Sequence, residues 1–200
     1  MNDSGRPLPL QTFDGEGDDL PLMLARGWAE ASMRLLQEAS AMRKEYRALD
    51  RAYERMDIEG LSESDLLDKI RRIWIAESML VHAASSLEIW MAKLYRTRRR
   101  KPRPQVAYLR QLRNALEHLE EADFDDEGWI ATARTAQGAR RGIGALPEAK
   151  LEVGLGPDGL LFGVIAPAEL HLLVDDLVRE LDRELDEYAQ DWFDFISEDR

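Results

Sequence analysis

The chain predicts a mostly α fold, a bundle of about four helices with a small late β-hairpin. Three observations carry that reading. Apolar residues recur at spacings of three, four and seven over long stretches, which is the period of an amphipathic helix. Gly and Pro are few, 13 and 8 in 200 residues, and 44% hydrophobic content is enough to fill one sizeable core. No internal repeat divides the chain. Residues 20–200 therefore read as one domain behind an acidic tail, 1–19, which is expected to be disordered. The tail has no apolar centre and does not read as a signal peptide.

From about Leu20 to Asp57, Leu24, Trp28, Ala31, Leu35, Met42, Leu49 and Met56 mark one face of a long first helix. Gly60 ends the turn that follows. Ser62 with Asp65 three residues on resembles a capping box, and the second helix runs to about Tyr95 on a stripe of Leu66, Ile70, Ile73, Leu80, Ala84, Leu87, Met91 and Leu94. Pro102 and Pro104 break the chain and open a third helix, roughly 104–122, whose core stripe is Leu109, Leu112, Leu116 and Leu119. Residues 123–150 lack periodicity and carry Gly138, Gly142, Gly144 and Pro147, so they read as a long loop with at most a helical turn. Within 151–165, Leu151-Glu152-Val153 and Leu160-Leu161-Phe162 flank the turn Gly156-Pro157-Asp158-Gly159, giving the hairpin. Pro167 opens a last helix with Leu170, Leu173, Val174, Leu177, Leu181, Leu185 and Tyr188 on its face, ending near Ile196.

A net charge of −12 argues against a protein that coats nucleic acid, because the generic electrostatic term is repulsive. The distribution qualifies this. Between Glu88 and Glu117 there is no acid, and nine basic residues fall there: Lys93, Arg96, Arg98, Arg99, Arg100, Lys101, Arg103, Arg110 and Arg113. Of these, Arg98, Arg99, Arg100, Lys101, Arg103 and Arg110 are candidate RNA or phosphate contacts. The chain has no Cys, which removes disulfides and thiolate metal sites and suits a reducing cytoplasm, the expected compartment. The most apolar run, Ile73 to Ala92, is interrupted by Glu77, His82 and Glu88, so a buried helix is expected and no membrane span.

The basic strip leads into Arg113-Asn114-Ala115-Leu116-Glu117-His118. At helical pitch Asn114 and His118 stand one above the other, while Arg113 points about 140° away from His118. An imidazole beside an amide can hold and pass a proton near neutral pH, and a guanidinium can neutralise a phosphate. On the side away from the leucine stripe lie Ala107, Tyr108, Gln111, Ala115 and Ala122, small or apolar residues suited to close approach of a second copy.

Arg-Asn-x-x-x-His, late in a run of long helices and behind a helix hairpin, resembles the motif of the HEPN superfamily. The match covers six residues. The resemblance implies a helical bundle, a homodimer with Arg and His at its interface, and a metal-independent endoribonuclease without cofactor, of toxin or phage-defence type, with an antitoxin or defence protein as a further partner. It also implies cleavage by the RNA's own 2′-hydroxyl, with His118 as general base or acid, Arg113 stabilising the phosphorane charge and Asn114 orienting the imidazole or the phosphate. A subset of the family carries Tyr two residues after the His; this chain has Glu120 there.

A plainer reading makes the same segment an ordinary amphipathic helix, with Arg113 paired to Glu117 and His118 in water. In that case the chain is a catalytically silent helical module that binds a protein or RNA partner. Glu77 and Glu88 fall on the apolar stripe of the second helix and need partners; salt bridges to Arg on the first helix are favoured over a metal site, with Glu88 as an auxiliary to the motif. His82 and His171 read as structural or solvated. Gly154-Leu155-Gly156 lies in a turn and is no nucleotide fingerprint.

Overall fold

The computed structural model describes residues 20–101, 106–134, 142–156 and 159–198. It contains four α-helices: α1 (Leu20–Glu54), α2 (Glu63–Thr97), α3 (Leu109–Glu117) and α4 (Pro167–Glu198). Three short strands, β1 (Ala122–Phe124), β2 (Ile130–Ala133) and β3 (Lys150–Glu152), form an antiparallel sheet between α3 and α4. The fold is the mostly helical bundle with late β structure that the pattern predicts. No helix among the described residues is long and apolar enough to cross a membrane.

α1 and α2 form the long hairpin. Gly60 supplies a positive φ of 82° in the connection, a conformation that costs Gly little. Ser62 caps α2 with the expected box: its backbone N–H donates to Asp65 Oδ2 at 2.9 Å, and its hydroxyl accepts from the Asp65 N–H at 3.4 Å. The Ser62 hydroxyl also donates to Asp65 Oδ2 at 2.6 Å, and this bond first, then the one from the Ser62 backbone N–H, holds the Asp65 carboxyl below its ordinary pKa. α2 follows its predicted stripe closely. Leu66, Ile73, Leu80, Ala84, Leu87, Met91 and Leu94 are all buried, and Ile70 is half-buried. On α1 the buried line differs from the expected one. It runs through Leu22, Ala25, Ala29, Ser32 and Ala39, while Leu24, Trp28, Leu35, Met42 and Leu49 flank it half-buried and Met56 is exposed. Small side chains let two long helices approach closely, so they occupy the contact line and the large ones wedge in from the sides.

Two buried acids of α2 are satisfied in different ways. Glu77 receives Arg43 of α1 through both Nε and Nη2, and Arg43 also donates to the carbonyls of Gly159 and Leu160 at 2.9 and 3.1 Å. Glu88 instead accepts the backbone N–H of Val106 at 3.1 Å.

The late β structure is a three-stranded sheet. β1 and β2 arise inside or beside the segment expected to be loop, and β3, the first arm of the expected hairpin, pairs with β2. The second arm makes one ladder-like bond, Glu152 N–H to Phe162 O at 3.1 Å, and an isolated bridge between Leu161 and Ile165. Pro157 and Asp158, at the tip of that expected turn, lie outside the described residues. β1 and β2 lack large alternating hydrophobics: only Ala122 and Ala131 among their residues are buried, so the period-2 signal is faint. On α4, Leu170, Val174, Leu177 and Leu181 are buried as expected, with Leu173 and Leu185 partly so; the Tyr188 side chain lies outside those described.

Candidate functional site at the end of α3

α3 is shorter than its periodicity predicts. It begins at Leu109, after Tyr108 in a left-handed conformation (φ 65°), and ends at Glu117. His118 is the C-cap, at φ −122° and ψ 28°, and a 3-10 turn, Leu119–Glu121, leads directly into β1. The strand pairing of Ala122 with Ala133 requires an extended chain from that point, which stops the helix before the expected residue 122. Pro102, Arg103 and Pro104 lie outside the described residues.

Leu109, Leu112 and Ala115 are buried on α3, against α2 and the turn Gly142–Ala145. Leu116 and Leu119 are half-buried. Two members of the expected second face are therefore spent inside the chain: Ala115 is fully buried and Ala122 is 6% exposed. The face that remains exposed is Ala107, Tyr108, Gln111, Asn114 and His118. The turn Gly142–Ala145, itself packed on β2, lies against α3, and Ala122 has become the first residue of β1.

Arg113 is held by its own helix. Its Nε and Nη2 donate to Glu117 Oε1 at 3.0 and 2.7 Å, and His82 Nδ1 of α2 stands 3.8 Å from that oxygen. His118 is open, with its side chain 57% exposed and Nδ1 3.4 Å from Glu121 Oε1. The ligand-capable atoms of His118, Glu120 and Glu121 lie within 4.8 Å of one another on the exposed surface. Arg113 and His118 thus each face a carboxylate within one chain. Asn114 is exposed and shares the outer side with Gln111.

The hydrogen bond that Glu88 makes lies at the other end of α3. Glu88 holds the lead-in at Val106, and its pKa is raised by burial, opposed by the Val106 hydrogen bond and by the charge of Arg110. That bond ties α2 to the chain leading into α3.

The basic strip is partly neutralised from α4. Arg98 Nε lies 3.1 Å from Glu184 Oε2, Arg100 Nη1 donates to the other Glu184 oxygen, and Arg100 Nη2 lies 3.5 Å from Glu187. Tyr95 adds a hydrogen bond, donated by its hydroxyl to Glu180, whose own pKa is raised, first by burial. Lys93 sits over the Trp90 ring at 3.8 Å. Arg99, Lys101 and Arg110 are exposed and carry no ion pair among the described residues. The strip therefore divides into cations that fasten α2 to α4 and cations that face solvent. Sequence pattern misses this division, because Glu184 and Glu187 lie more than 80 residues away. It misses His82 as a neighbour of the motif for the same reason.

No protein-family model, curated protein or solved structure matches this chain.

Proposed function

We propose that the chain is a metal-independent endoribonuclease that works as a homodimer, with His118 transferring the proton, Arg113 stabilising charge on the phosphate and Asn114 orienting one of them. The observation that carries the reading is the exposure of Gln111, Asn114 and His118 at the end of a helix whose leucine face is already committed to the core. Polar groups with proton-transfer and hydrogen-bonding capacity are left available on one surface, and Arg113 stands half-buried beside them. A second copy meeting this surface brings an Arg113 and a His118 from different chains together, which one helix alone keeps apart. The nucleophile belongs to the RNA, so DNA is not a substrate. The resemblance to HEPN domains adds a cellular setting, a toxin or phage-defence role with a partner protein that restrains it, in the cytoplasm.

A second reading has its own support. Glu117 occupies Arg113, and Glu120 and Glu121 crowd His118, an acidic surround that repels phosphate. On that basis the chain is a non-catalytic HEPN-like module, binding a protein or RNA partner through the exposed residues of α3 and the solvent-facing cations.

One experiment separates the two. Purified protein is incubated in EDTA with structured and single-stranded RNAs, and the ends are analysed for cyclic phosphate. The enzyme reading expects cleavage by the wild type and none by Arg113→Ala or His118→Ala, both folded by circular dichroism. Cleavage unaffected by either change overturns these residue roles, and cleavage absent at every protein concentration with every RNA leaves the binding module.

A further inference from the structure

Away from α3, a cleft of about 850 Å³ opens between the middle of α1 and the start of α4. Its volume lies in the range of small-molecule sites. Glu77 is the one carboxylate among the described residues that line it, and Arg43 already consumes it through two hydrogen bonds. Three further cations of α1, Lys44, Arg47 and Arg51, line the same wall, and none carries an ion pair among the described residues. Their spacing of three and four sets them on one face of the helix, where like charges repel and cost stability unless an anion relieves them. That no acid among the described residues pairs with this row is the first observation.

The second comes from the opposite wall. α4 begins there: Pro167 and Ala168 of its first turn, where the positive end of the peptide dipoles lies, line the cleft with His171, whose Nε2 stands 3.2 Å from Asp175 Oδ2. The third is the character of the remaining surface. Leu36, Leu80, Leu161 and Leu172 line it, and Leu172 is left 65% exposed at the rim. No Phe, Tyr or Trp lines the cleft among the described residues, so a nucleobase would find only the small His171 ring and the guanidinium groups to stack on.

We infer that this cleft binds a small organic phosphate with an aliphatic body, its phosphate or diphosphate head on Lys44, Arg47 and Arg51 and its chain along the leucines. Charge-assisted hydrogen bonds from two guanidinium groups hold the head, and apolar burial holds the chain. A prenyl diphosphate and a single-chain lysophosphatidate share this chemistry. The site is separate from the α3 residues, and its test does not depend on RNA cleavage.

Isothermal titration calorimetry on the full chain uses four probes: geranyl diphosphate, lysophosphatidate below its micellar concentration, ADP and inorganic pyrophosphate. One of the two aliphatic phosphates is expected to bind at least about tenfold tighter than pyrophosphate and ADP, and which of them does so identifies the source. Arg47→Ala and Arg51→Ala, both on an exposed helix face, are each expected to weaken that binding about tenfold, while Arg179→Ala, outside the cleft, leaves it unchanged. Absence of binding by both aliphatic probes at about millimolar concentration overturns the inference. So does equal affinity for pyrophosphate or ADP, or binding that Arg47→Ala and Arg51→Ala leave intact.

Discussion

One oxygen of Glu117 accepts both Nε and Nη2 of Arg113, at 3.0 and 2.7 Å, while His82 of α2 stands 3.8 Å from it. The guanidinium is thereby held along its own helix. If Arg113 is to meet a phosphate, Glu117 is the group it must leave. Glu117→Gln weakens the pair and removes a negative charge beside the proposed scissile phosphate. Partly exposed pairs of this kind contribute under about 1 kcal/mol, so the fold is expected to be almost as stable as before. RNA cleavage or binding is expected to increase, measured as initial rate and affinity at fixed ionic strength. A loss matching that of Arg113→Ala would instead make Glu117 the group that positions the guanidinium.

The core role of α3 makes a separate, activity-free prediction. Leu112 is fully buried, whereas the His118 side chain is 57% exposed beyond the helix end. Leu112→Ala is expected to cost about 2–5 kcal/mol by leaving a cavity, and His118→Ala less than about 1 kcal/mol. Leu116→Ala falls between them, because Leu116 is half-buried. Urea melts of the three variants give the order directly, and a large loss for His118→Ala would mean that His118 supports the fold.

How much of this was legible in the sequence depends on how local the cause is. α2 and α4 are read correctly because a leucine-rich stripe and a capping residue act within a few residues. α1 is found but its contact line is rotated, since close packing favours Ala25, Ala29 and Ala39 over the larger residues that hydrophobicity selects. α3 is overextended because its end at Glu117 is set by the pairing of Ala122 with Ala133 in a strand too short to signal itself. At the candidate site the Arg113–Glu117 pair is an i, i+4 relation and visible in advance. The approach of His82, the loss of Ala115 to the core and the capture of Arg98 and Arg100 by Glu184 are long-range events that no local pattern contains.

That capture changes what the basic strip is expected to do. Glu184 is 6% exposed and is fastened by Arg98 and Arg100. Replacing both arginines with alanine leaves a buried carboxylate near Glu180 without those partners, and is expected to cost about 1–3 kcal/mol. Arg99→Ala with Lys101→Ala removes two solvent-facing cations and is expected to leave stability within about 0.5 kcal/mol. If the strip contacts RNA, only the second pair of changes lowers affinity without destabilising the chain and flattens its salt dependence. Paired measurements of melting and RNA binding distinguish the two halves of the strip. Equal destabilisation by both pairs would remove the division.

Glu88 provides the test by pH. It is 7% exposed, accepts the Val106 N–H that leads into α3, and has a pKa raised by burial against the opposing effects of that hydrogen bond and of Arg110. In the unfolded chain it loses its proton near the ordinary carboxylate value, about 4.3, before the folded protein does. Between that value and the higher folded one the native state holds more protons, so its contribution to stability falls as pH rises through the window and stays low above it. Glu88→Gln keeps an oxygen to accept the Val106 N–H and abolishes the ionisation. The variant is therefore expected to gain stability relative to wild type as pH rises from about 4 to about 7. Glu180 and Asp182 also have raised values, through burial first, but they are present in both proteins and cancel in the difference. Urea melts of the two proteins at matched ionic strength across that range measure it. A difference that stays flat would mean that Glu88 carries no burial penalty, and one that moves against the variant would mean that attraction to Arg110 outweighs desolvation.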